Sequence, residues 1–124
     1  MSQNIIFHIC TDDEWRKFQR EGNYIGSSQD LIDNFIHFST IDQIEKSAAK
    51  HRAGQDNLVI LTVDAVALGK KLKWEPSRGG ELFPHLYGTL SIKAVIKADQ
   101  LKLGANKKHI FPDGYTSVSY THLT

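Results

Sequence analysis

The chain has 124 residues, with 15 Lys and Arg against 14 Asp and Glu and a formal net charge of +1. That length fits one globular domain, expected over residues 1–117. The near-zero charge excludes a protein that tracks nucleic acid through a broad basic surface, leaving at most an RNA end held by a local basic rim. A single cysteine excludes an intramolecular disulfide and a thiolate metal site, and no apolar run reaches the ~20 residues of a membrane span, so the expected home is the reducing cytoplasm.

Residues 5–10 (IIFHIC) are apolar on both faces apart from His8, which predicts a central strand with Cys10 as buried filler. Thr11 and Glu14 form the capping pattern of a helix over residues 12–21, with Trp15 and Phe18 on one side and Gly22 just past its end. Residues 23–34 read as loop with at most one helical turn after Ser28. Residues 35–39 (FIHFS) predict a strand whose alternation puts Phe35, His37 and Ser39 on one face. Thr40 and Gln43 repeat the capping pattern, and a second helix carrying Ile41, Ile44 and Ala48 runs to about Arg52. Residues 58–63 (LVILTV) are the clearest strand, and residues 72–75 a shorter one. Gly79 and Gly80 mark a turn. Residues 83–88 (FPHLYG) read as irregular, because Pro84 breaks a ladder. Strands over residues 94–98 and 109–111 complete an α+β order. Residues 118–124 (VSYTHLT) look like a translated sequencing adapter and are expected to be a non-native tail.

Two histidines interrupt two short apolar strands. A buried imidazole needs hydrogen-bond partners, and the pair predicts one shared cleft containing His8 and His37. Ser39 and Thr40 follow at a helix start, where free N–H groups suit a phosphate or carboxylate. Residues 74–88 then crowd Glu75, Glu81, His85 and Tyr87 into a turn-rich stretch, a common setting for function. A surface loop pinned by Trp74 and Phe83 explains Glu81 and His85 equally well. On the functional alternative, both point into the His8 cleft while Phe83 and Leu86 anchor in the core. His51, His109 and His122 read as surface or loop residues. The chain has no Gly-rich phosphate loop, no G-x-S-x-G elbow and no helical His pair. A three-histidine metal site from His8, His37 and His85 has no sequence signature, and no metal is expected.

Residues 7–9 (FHI), Trp15, residues 35–40 (FIHFST) with Gln43, residues 58–64, Trp74 with Glu75, residues 81–88 (ELFPHLYG) and residues 94–95 together resemble a bacterial family known as domain of unknown function 952. The resemblance runs from residue 5 to about residue 112, and FPHLYG is its most specific string. It implies an ADP-ribosyltransferase-like split β-structure with two main helices and a central cleft for NAD. It further implies that His8 contacts the NAD ribose and that His37, with Ser39 and Thr40, holds the nicotinamide end. Such transferases use a late-strand glutamate. Residues 94–98 carry none, leaving Glu75 or Glu81 for that part. The expectation is an NAD- or nucleotide-dependent ADP-ribosyl or phosphate transferase-like enzyme. Glu75, Glu81 and His85 are its catalytic candidates, and His8, His37, Ser39, Thr40 and Tyr87 bind the ligand. Two alternatives stand beside it. One is a non-catalytic module that binds a nucleotide or small anion. The other is a hydrolase or phosphotransferase using the histidines as acid and base.

Overall fold

The computed structural model describes residues 4–112. Strand β1 (Ile5–Thr11) leads into helix α1 (Asp12–Glu21). The capping box forms in full: Glu14 N–H donates to Thr11 Oγ1, and Thr11 N–H donates to the Glu14 carboxylate. Gly22 closes α1 in the left-handed region at φ 77°, its N–H bonded to Phe18 O. Phe18 is fully buried, with Trp15 edge-on against it.

The polar stretch that reads as loop holds two short elements, β2 (Asn23–Tyr24) and α2 (Ser28–Asp33). A second capping box, Ser27 with Asp30, starts α2. Next come β3 (Ile36–His37) and α3 (Ile44–His51). Only half of the Thr40–Gln43 box forms. Thr40 N–H donates to Gln43 Oε1 at 3.0 Å, but α3 begins at Ile44 and its N-cap makes no side-chain bond. The turn over residues 41–43 brings both Ile41 and Ile44 against Phe7 and Ile9.

Strands β4 (Leu58–Asp64), β5 (Leu72–Pro76), β6 (Leu82–Leu86), β7 (Leu90–Ser91), β8 (Val95–Leu103) and β9 (His109–Ile110) follow. The ladders are antiparallel, in the orders β1-β4-β8-β9, β3-β6-β5 and β2-β7. A bridge between Phe7 and Ser39, bonded both ways at 2.8 Å, ties the first ladder to the end of the second. The result is a curled antiparallel sheet with helices packed on it.

The apolar run of β1 predicts a central position, and β1 lies between β4 on one edge and the Ser39 bridge on the other. Both faces of β1 are covered. Ile6 and Cys10 pack with Phe18 and Tyr24, while Phe7 and Ile9 pack with Ile41 and Ile44. Burial pushes the Cys10 thiol up to about 12, as suits inert filler. One prediction about strands needs correction: Pro84, read as a ladder breaker, lies in β6, the middle strand of its ladder. Toward β5, the bonded pairs have the parity of Ser77 N–H to Glu81 O (2.9 Å) and Tyr87 N–H to Lys71 O (2.8 Å). Pro84, opposite Trp74, falls between them. Its missing N–H faces β3, where its carbonyl still accepts from Phe38 N–H at 3.0 Å. Proline thus removes one bond at the end of a two-residue strand.

Among the described residues no helix is long and apolar enough to cross a membrane. The suspected tail, residues 118–124, lies outside the described residues.

Candidate functional site

Alternation along the β3-β6-β5 ladder decides which side chains are open to chemistry. Ile36, Leu86, Leu72 and Trp74 pack into the core. The cross-strand partners His37 with His85, Lys73 with His85, and Glu75 with Phe83 share the opposite face. Glu81 and Tyr87 join them by the same two-residue period. Leu86 is buried as expected. Phe83 is not a core anchor, because it has the parity of His85 and lines the cleft half-buried.

A cleft of about 820 Å³ opens between this face and α3. His8, His37, Ser39, Glu81 and His85 all line it. The predicted sharing of one cleft by His8 and His37 therefore holds, as does the convergence of Glu81 and His85 on it. Glu75 and Tyr87 stand behind His85 instead of lining the cleft, and Thr40 does not line it. His51, expected to be a plain surface residue, lines it from the end of α3. His109 is half-buried and bonds Gln55 O. His122 lies outside the described residues.

Asp30 organises the His8–His37 side of the cleft, and sequence reasoning missed it. The carboxylate is 2% exposed. Its Oδ1 accepts from His37 N–H at 3.0 Å and pairs with His37 Nδ1 at 2.5 Å, while Oδ2 accepts from Ser27 N–H at 2.7 Å. On the other side of the same ring, His37 Nε2 lies 3.0 Å from Asp33 Oδ2. The ring thus lies between two carboxylates. Burial pushes the Asp30 carboxyl up, but the hydrogen bonds from His37 and Ser27 and the nearby His8 together bring it down to about 2. Gly26 makes room for it: at φ 109°, a Cβ there would sit 2.5 Å from Asp30 Cβ. The available signal was the Ser27-x-x-Asp30 capping pattern beside that glycine.

His8 is buried and hydrogen-bonded at both ring nitrogens. Its Nδ1–H donates to His37 O at 2.6 Å, since a carbonyl can only accept, and Tyr24 O–H donates to Nε2 at 2.8 Å. That tautomer is the neutral ring. Burial lowers its pKa, outweighing the pull of Asp30, whose Oδ2 lies 3.8 Å from Nε2. Burial likewise raises the Tyr24 phenol, keeping it a donor.

His85 is built differently. It is 8% exposed. Its Nδ1 pairs with Glu75 Oε1 at 2.8 Å, and Tyr87 O–H donates to the same oxygen at 2.7 Å. These two bonds hold the Glu75 carboxyl below its usual range, and the shared bond raises the Tyr87 phenol. Phe35 stacks on the His85 ring, with centroids 4.1 Å apart. Glu81 is held from the other direction. Gln43 Nε2–H donates to Glu81 Oε1 at 3.1 Å and to Leu82 O at 2.8 Å. Ser39 Oγ–H donates to Ser47 Oγ at 2.9 Å. The α3 wall adds Lys46, Lys50 and Arg52, the last also bonded to Ile9 O. No group of three or more His, Cys, Asp or Glu suited to hold a metal ion occurs among the described residues.

These groups set a pH dependence of stability. The folded pKa of His8 lies below its reference value of 6.5, so its contribution is complete above pH 6.5 and is lost as pH falls below it. Asp30 moves from 3.8 to about 2. Its contribution is complete above pH 3.8 and lost as pH falls through about 2, a loss of about 2 kcal/mol. Urea unfolding between pH 7 and pH 2 should therefore show decline beginning near pH 6.5 and a further loss below pH 4. Asp30→Asn should show a smaller second loss, with the lowered Glu75 carboxyl still contributing. A wild-type curve that is flat to pH 3 would contradict this account.

The profile of a family described as "Protein of unknown function (DUF952)" matches residues 9–98. The chain is similar to protein CC0527 from Caulobacter crescentus. In the X-ray crystal structure of that protein the identity is 42%, over 90% of this chain and 97% of that chain, with a TM-score of 0.85. In its solution NMR structure the identity is 44%, over 85% of this chain and 90% of that chain, with a TM-score of 0.76. No curated protein matches the chain.

Proposed function

The chain belongs to the DUF952 family of proteins of unknown function, and on the chemistry of its cleft we propose that it binds NAD or a similar nucleotide as an ADP-ribosyltransferase-like enzyme. The observation that carries this is the division of charge across the cleft. Carboxylate-held imidazoles and Glu81 form one side, and the cations Lys46, Lys50 and Arg52 form the other. A nucleotide carries the complementary division, with phosphates in one part and sugar hydroxyls and base in another. The cleft's volume of about 820 Å³ falls within the ~300–1,000 Å³ usual for small-molecule and cofactor sites.

Breaking the nicotinamide–ribose bond builds positive charge on the sugar. Glu81, steadied by Gln43, is the carboxylate that stabilises it. Glu75 is committed to His85 and Tyr87. His37, fixed by Asp30 and Asp33, orients the nicotinamide end beside the Ser39 hydroxyl. His8 reaches the ribose when a sugar hydroxyl replaces that of Tyr24 as donor to Nε2. Tyr87, expected to meet the ligand, instead supports the site from outside the cleft by donating to Glu75. One observation favours a second reading, a module that binds the nucleotide without turnover: β8 contains no glutamate. Release of nicotinamide from NAD separates the two.

Binding itself is tested by thermal unfolding with NAD, ADP-ribose and phosphorylated nucleotides. A ligand at a hundred times its Kd should add about 2.7 kcal/mol to the unfolding free energy. The double substitution Lys46→Glu, Lys50→Glu should remove that gain. Indifference to all of these ligands would end both readings.

A further inference from the structure

We propose that His85 is the general base of this reaction, that Glu75 is the residue positioning it, and that the acceptor is a hydroxyl, with water the simplest case. The inference rests on the transferase reading of the cleft and names its acceptor class.

The geometry of His85 carries it. With Nδ1–H donated to Glu75 Oε1 at 2.8 Å, the neutral ring keeps its lone pair on Nε2. Nε2 has no hydrogen-bond partner among the described residues, although no fully buried side-chain nitrogen or oxygen goes unpartnered. Nε2 therefore meets solvent, and the solvent His85 meets is the cleft it lines. The ring plane is fixed on one face by Phe35, at 4.1 Å and 26°, and by the edge of His37 at 5.5 Å. Tyr87 donates to the same Glu75 oxygen, which locks the carboxylate in turn. The β5–β6 ladder already pairs Lys73 with His85 and Glu75 with Phe83 through the backbone, so strand pairing alone does not call for this chain of side-chain bonds.

The acceptor class follows from proton transfer. A guanidinium must lose a proton before it can attack, and with a pKa above ~12 it is too weak an acid for an imidazole to deprotonate. A hydroxyl is neutral, and its proton becomes acidic as its oxygen bonds to carbon. That oxygen forms a bond to ribose C1 while the C1–N bond to nicotinamide breaks. The electron pair leaves on the nicotinamide nitrogen and cancels its positive charge. The acceptor's proton ends on His85 Nε2, where the Glu75 carboxylate balances it.

The test follows nicotinamide release from NAD in aqueous methanol, with agmatine as a guanidinium probe. Wild-type protein should divide ADP-ribose between water and methanol and give none to agmatine. His85→Gln should slow release ~10²–10⁴-fold and lose the fall in rate at low pH, with NAD affinity and melting temperature near wild type. Glu75→Gln should lower kcat at unchanged KM for NAD, with part of the rate restored by Glu75→Asp. A wild-type pH profile in His85→Gln, or ADP-ribose on agmatine, overturns the inference and leaves the transferase reading standing. If His85→Gln does not fold, Glu75→Gln decides alone, and an unchanged kcat there overturns the inference. Failure of the wild-type protein to release nicotinamide overturns the transferase reading and the inference with it.

Discussion

Asp30→Ala is expected to lower the unfolding free energy by about 3 kcal/mol, at the low end of the range for breaking a buried charged pair. The low end applies because the His37 side chain is 38% exposed, so water partly screens what the carboxylate leaves behind. Three bonds disappear together. The Ser27 N–H loses its acceptor at the start of α2, His37 N–H loses its partner, and the His37 ring loses one of its two carboxylates. Ser27 stays as the N-cap, so the loss at the start of α2 is one hydrogen bond, about 0.5–1.5 kcal/mol, and an unsatisfied buried N–H adds about 1–3 kcal/mol. Relief of the desolvation of Asp30 offsets part of this. Urea denaturation at pH 7 should show a lower midpoint at an unchanged slope. A loss below about 0.5 kcal/mol, the range of ordinary surface substitutions, would mean that the carboxylate does not organise this wall.

Glu81→Gln is expected to cut nicotinamide release about 10²–10³-fold, the usual effect of deleting one transition-state stabilising group. It should leave melting temperature and NAD affinity close to wild type. The substituted amide still offers an oxygen to Gln43 Nε2, and Gln43 keeps its second bond to Leu82 O. The site thus holds its shape and loses only the charge that meets the developing cation on the sugar. The measurement is single-turnover release at saturating NAD. A wild-type rate in Glu81→Gln would show that another group performs this task.

Part of this site was legible in the sequence, because its signals are local. A polar residue inside a fully apolar strand marks His8, and two such interruptions predicted the cleft that His8 and His37 share. The Thr11–Glu14 cap and Gly22 fixed the limits of α1 because a cap and a left-handed residue act over one turn of chain. What escaped depends on pairing across the sheet. Pro84 reads as a ladder breaker until the register shows that its missing N–H faces only the short β3. Once β6 is a strand, parity takes Phe83 out of the core and puts it beside His85. Whether Glu75 or Glu81 faced the cleft was equally open, since the answer lies in which one His85 and Tyr87 engage. Asp30 was hidden for another reason. It sits in a short polar helix, and polar stretches of that length usually lie in solvent. Its burial comes from Gly26, Ser27 and His37 closing around it.

The most direct test of the cleft as the nucleotide site is NMR titration of the protein with NAD, following the imidazole protons of His37 and His85 and the indole N–H of Trp15. His37 and His85 line the cleft, whereas Trp15 packs against Phe18 at α1. The account predicts saturable shifts of both imidazoles at a common Kd while the Trp15 signal stays in place. Saturable binding that moves Trp15 and leaves the two imidazoles unchanged would contradict it.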